Sequence, residues 1–95
     1  MIVFTGFEWD KGNSGKNWRT HRVSKRECEE IFDSEPLVII DDRIHSQFEK
    51  RMIALGTTKK GRRISIAFTF HSGKIRVISA RAMSTKERKF YGEKA

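Results

Sequence analysis

The sequence predicts an α+β domain: an antiparallel β-meander of about four strands, two N-terminal helices packed on it, and a C-terminal helix. Three observations carry this prediction. Apolar runs of strand length follow one another through the middle of the chain with short polar links. Two Ser-x-x-Glu boxes, Ser24 with Glu27 and Ser84 with Glu87, stand where helices begin. A period of two is clearest from Arg63 to Phe70, where Ile64, Ile66, Phe68 and Phe70 share one face.

Taken in order, Ile2, Val3 and Phe4 suggest a short edge strand that Gly6 loosens, and Phe7, Trp9 and Trp18 are bulky anchors. Asp10 reads as the N-cap of a first helix reaching about His21. Gly12 and Gly15 each cost that helix about 1 kcal/mol, so Trp9 and Trp18 are expected to hold it on the core. The second helix is better specified. Ser24 caps it, Glu27 closes the box, and Val23 is placed as a staple against Cys28. Cys28, Ile31 and Phe32 form one stripe at helical spacing, which makes Cys28 a small core residue and not a nucleophile. Pro36 stops this helix, and Leu37–Ile40 is an apolar run too short for another.

Residues 41–46 are a polar connection. Arg51–Thr57 then alternates, with Arg51, Ile53 and Leu55 on one face and Met52, Ala54 and Gly56 on the other. Lys59–Arg62 is a basic turn, and His71-Ser72-Gly73 is a hairpin connection into a last strand, Ile75–Ala80. That strand is expected to deliver Arg76, Ser79 and Arg81 to one region. The helix that Ser84 caps carries Lys86, Arg88, Lys89 and Tyr91.

Composition sets the function classes. Ninety-five residues make a single domain, 1–95, that buries roughly 60–65% of its unfolded surface. No run of 18 apolar residues and no signal-peptide pattern is present, so a soluble cytoplasmic protein is expected, with no membrane partner. The one cysteine excludes an internal disulfide and a cysteine-based zinc site. His21, His45 and His71 lack metal-ligand spacing, and no glycine precedes a helix in a phosphate-cradling pattern, so neither a metal nor a cofactor is expected. Net charge is +8 and segregated: residues 1–50 hold 8 Lys+Arg against 10 Asp+Glu, residues 51–95 hold 12 against 2. A polyanion partner for the C-terminal half follows.

Arginine-rich phosphate chemistry is what remains. RNA strand cleavage needs a base for the 2′-hydroxyl proton, cations for the charged phosphorane and an acid for the leaving oxygen. Arginine suits the second task, because its planar fork bonds two phosphate oxygens at once. Arg51, Arg76 and Arg81 are the catalytic candidates, with His45, Glu49 or Tyr91 to move protons. Arg63, Lys74, Ser79, Arg88 and Lys89 are the candidates for holding RNA. His21, at the joint of the first two helices, reads as a hydrogen-bonding bracket.

Phe7-Glu8-Trp9-Asp10, Asn17, His21-Arg22-Val23, His45, Glu49-Lys50-Arg51, Leu55-Gly56, Ile75–Arg81 and Glu87–Tyr91 follow one another in an order and spacing that resembles the BrnT toxin family over essentially the whole chain. Two positions depart from the family's pattern: Thr20-His21-Arg22-Val23 replaces its usual Lys-His-Gly-Val, and Lys25 stands where an aromatic is common. The resemblance implies a fold like that of RelE-type toxins and a metal-independent endoribonuclease that inhibits translation. It also implies neutralisation by a BrnA antitoxin, in a toxin–antitoxin heterotetramer, with DNA contacted only through the antitoxin. The alternative is a non-catalytic RNA-binding module, a degenerate toxin using the same basic face. Against it, Phe68 and Phe70 share an all-apolar stripe and look like core, not a base-stacking platform. A DNA-binding regulator is disfavoured by the lack of a convincing recognition helix.

Overall fold

The computed structural model describes residues 4–44 and 50–94. Its elements run α1 (Lys16–His21), α2 (Lys25–Phe32), β1 (Val38–Asp41), β2 (Met52–Thr57), β3 (Arg63–His71), β4 (Lys74–Ala82) and α3 (Thr85–Lys94). The strands form one antiparallel sheet in sequence order, β1-β2-β3-β4, so the α+β meander is as the periodicity predicts. The β3–β4 connection is tighter than expected. His71 pairs with Lys74, and Ser72 (φ 53°) with Gly73 (φ 77°) make a two-residue turn with both φ positive, the geometry whose twist matches the strands.

Each face of the sheet has its own cover. Register places Ile39, Ala54, Ile66 and Ala80 in one row, with Phe68 and Val77 beside it. On this face α2 lays down Cys28, Ile31 and Phe32, joined by Val23 and by Phe4, Phe7 and Trp9 from the N-terminal segment. Both capping-box hydrogen bonds of α2 form, Ser24 Oγ accepting from the Glu27 N–H at 3.1 Å and Glu27 Oε1 accepting from the Ser24 N–H at 3.0 Å. Gly56 allows the close approach: a Cβ there would stand 3.0 Å from the Ile31 carbonyl oxygen and 2.9 Å from its Cγ2. On the opposite face α3 packs over one end only, where Tyr91 and Met83 meet Leu55, Val38 and Ile53. Among the described residues, no helix covers the rest of that face.

Four expectations need correction. Phe70, read with Phe68 as core, is 36% exposed near the end of β3, its ring meeting the buried Phe68 ring edge-on. The first helix does not start at Asp10. Residues 11–15 are a turn in which the Asp10 carbonyl accepts from the Asn13 and Ser14 N–H groups, and α1 begins only at Lys16. Gly12 and Gly15 keep the helix from extending further towards the N-terminus. Trp18 is not a core anchor either; it is 50% exposed. The edge pairing falls on residues 5–8, which run parallel to the start of β4 through Thr5, Gly6, Glu8, Gly73 and Ile75, with a single bridge between Phe7 and Ile75. Ile2 and Val3 lie outside the described residues.

A candidate active site on the open face of the sheet

In a regular strand Arg76 would project opposite to Ser79 and Arg81. A β-bulge changes this: Ala67 pairs with Ser79 but Phe68 pairs with Val77, so Ile78 has no counterpart. The extra residue resets the alternation. Thr69–Arg76, Ala67–Ser79 and Ser65–Arg81 then become opposite pairs on the face that α2 does not cover. Ile78 and Ser79, Ser65 and Ala67, Ile53, Arg51 and Arg81, together with Asp42 and Ile44, line a groove of about 420 Å³ there.

Arg81 is the best-positioned cation in it. Its Nη1 donates to Glu87 Oε1 at 2.7 Å and to the Ala82 carbonyl at 3.1 Å, and its Nη2 donates to Glu87 Oε2 at 3.2 Å. Glu87 is itself fixed twice more, accepting the Ser84 N–H at 2.9 Å in the capping box of its own helix and the Ser65 hydroxyl at 3.0 Å from β3. Burial pushes the Glu87 carboxyl up, but the bonds from Arg81, Ser84 and Ser65 outweigh it and hold the group below its ordinary value. Of the five guanidinium N–H groups three are thereby occupied, and two have no partner among the described residues. An anion in the groove would meet a cation that is already oriented.

The other sequence candidates separate. Arg51 lines the groove from the start of β2, and its carbonyl accepts the Asp42 N–H at 3.0 Å. His45 and Glu49 lie outside the described residues, between Ile44 and Arg51, both of which line the groove. Arg63 is exposed at the start of β3, two residues before Ser65 and on the same face. Lys74 is at the far end of β4, in the hairpin, and Arg88 and Lys89 are exposed on α3; Lys89 borders a separate apolar recess with Phe90 and Ile40.

Arg76 and Tyr91 are committed elsewhere. Arg76 Nη1 donates to Glu8 at 3.0 Å and to Asp10 at 2.6 Å, and Nη2 donates to Asp10 at 3.2 Å. His71 Nδ1 meets the other Glu8 oxygen at 2.6 Å. Two carboxylates face one guanidinium, and the group ties the N-terminal segment to β4. Tyr91 is buried, its hydroxyl donating to the Pro36 carbonyl at 2.7 Å and lying 3.1 Å from Thr57 Oγ1. Neither residue lines the groove.

Sequence reasoning missed Asp42, Ile44 and Ser65. Ser65 carried a signal, a hydroxyl on the polar side of the cleanest alternating strand. Asp42 carried none, since an acidic pair after an apolar run looks like any solvated connection.

The chain matches the family model described as the ribonuclease toxin BrnT of type II toxin–antitoxin systems over residues 9–87. That stretch spans every element from α1 to β4 and ends at Glu87, the residue that orients Arg81. No curated protein matches. The chain belongs to the BrnT family of ribonuclease toxins, whose type II systems pair a toxin that acts on RNA with an antitoxin.

Proposed function

We propose that this protein is a metal-independent endoribonuclease that cleaves RNA in the groove on the open sheet face and so inhibits translation. Arg81 and Arg51 neutralise the scissile phosphate and stabilise the dianionic phosphorane as the ribose 2′-oxygen attacks the adjacent phosphorus. The 5′-oxygen leaves and takes up a proton. Ser79 offers a hydroxyl to a phosphate oxygen, and Ser65 acts indirectly, by holding Glu87 behind Arg81. We assign the proton transfers to His45 and Glu49, with Asp42 as a carboxylate lining the groove. A BrnA-type antitoxin, in a heterotetramer, neutralises the activity by covering this basic face.

The observation that carries the reading is the pairing of two arginines in one groove with Glu87 orienting one of them. The test is incubation of the full chain with labelled RNA in excess EDTA, with Arg81→Ala alongside. Internal cleavage that survives EDTA and falls by roughly 10²–10³ in the variant is expected, the usual loss for one preorganised charge-stabilising donor. Loss of all cleavage in EDTA, or full activity in Arg81→Ala, refutes it.

A further inference from the structure

On the helix side of the sheet, away from the groove, lies a second polar cleft of about 730 Å³ between the α1–α2 joint and the β2–β3 turn. Trp18 is half exposed in it, and the Arg22 guanidinium stands 5.4 Å from the centre of the indole ring. An exposed tryptophan is costly to leave in water, and this one supports no part of the core. The surroundings are built. Arg22 holds a left-handed conformation (φ 55°) as the C-cap of α1. Arg62 locks that joint, donating to the His21 and Arg22 carbonyls at 3.2 and 2.6 Å and to both Glu27 oxygens at 3.1 and 3.0 Å. Glu27 is thereby neutralised, and Glu30 faces Arg26 at 3.7 Å. The β2–β3 turn adds exposed Lys59 and Lys60.

We propose that this cleft is a second RNA-binding site, separate from the groove, in which an unpaired base stacks on Trp18 while Arg22, Lys59 and Lys60 hold the flanking phosphates. Single-stranded nucleic acid is the ligand that uses both halves of the arrangement. Its bases need a flat π-face without regard to sequence, and its backbone needs a row of cations. The start of β3 links the two sites, although they share no lining residue. Arg62 anchors the cleft, Arg63 follows it exposed on the other face, and Ser65 reaches the groove after roughly 10 Å of strand. One RNA strand crossing the end of the sheet would touch both sites. The inference rests on RNA being the substrate, and its test separates the two.

The full chain is compared with Trp18→Ala, Trp18→Phe and the Lys59→Glu/Lys60→Glu double variant, using a short oligoribonucleotide that fits the groove alone and a longer single strand. For the long strand, Trp18→Ala should raise KM about tenfold, the equivalent of ~1.4 kcal/mol and within the range of one base on an aromatic ring. Trp18→Phe should recover part of it. The double lysine variant should reduce the salt slope of long-strand affinity by about 1.4, from two phosphate contacts at about 0.7 each. Cleavage of the short substrate should be unchanged in all three. Equal KM for both substrates in every variant, or variants that lose only antitoxin binding, would overturn the second site. If the unaltered chain cleaves neither substrate, the groove assignment is what fails, and long-strand binding that still depends on Trp18 would leave the cleft standing.

Discussion

Replacing Tyr91 by Phe separates packing from proton transfer at the one phenol in the chain. The ring stays, so no cavity opens; only the hydroxyl is removed. That hydroxyl donates to the Pro36 carbonyl at 2.7 Å and, with its single proton so engaged, accepts from Thr57 Oγ1 at 3.1 Å. Pro36 keeps a weaker neighbour, Ser34 Oγ at 3.2 Å, but that hydroxyl is already 2.8 Å from the Ile31 carbonyl. The loss therefore leaves a partly buried carbonyl poorly satisfied and a partly buried threonine hydroxyl without its acceptor, about 1.5 kcal/mol on the usual scale for such groups. For a domain of this size that corresponds to a Tm lower by roughly 6–12 °C. Calorimetry gives the shift, and single-turnover RNA cleavage at a temperature where both proteins are folded gives the rate. The expected result is a lower Tm with an unchanged rate. An unchanged Tm with the rate lost would refute the packing role and make Tyr91 the proton carrier.

Other outcomes follow from particular contacts. Arg81→Lys should restore little of the cleavage lost in Arg81→Ala, because an ammonium cannot hold Glu87 bidentately and face the groove as well; cleavage kinetics on both variants check this. Arg76→Ala should leave cleavage per folded molecule intact but loosen residues 4–10, seen as faster amide exchange there, since Glu8 and Asp10 lose their shared partner. The same cluster predicts an acid limb. The hydrogen bond from His71, then Arg76, lowers Glu8 from an ordinary 4.5, and the bond from Arg76 lowers Asp10 from 3.8. A depressed carboxylate stabilises the fold above its unfolded pKa and loses that contribution as pH falls through the folded one. Protection of residues 4–10 should thus decline below about pH 4.5 in the native chain and show a smaller step in Arg76→Ala, where Asp10 loses its partner and only the Glu8–His71 bond remains. Cys28 should be inert to thiol reagents in the folded protein and reactive in denaturant, because burial pushes its thiol up to about 12.

What the sequence determined by itself is what depends on a few neighbouring residues. Ser24 with Glu27 and Ser84 with Glu87 start two helices because both partners of each box lie three residues apart. The alternation of Ile64, Ile66 and Phe68 commits a strand and its buried face, and the charge segregation points to a polyanion. The tertiary structure decided what each side chain meets across long separations. Glu8 and Asp10 reach Arg76 over 68 and 66 positions, and Pro36 reaches Tyr91 over 55, so no local pattern announces that these two candidates are already engaged. The bulge at Ile78, which gathers Arg76, Ser79 and Arg81 on one face, is a property of how two strands pair and not of either strand alone. Trp18 shows the same limit from the other side. Its hydrophobicity argued for the core, but with Gly12 and Gly15 holding back the start of α1, the short helix turns that ring out to solvent beside Arg22.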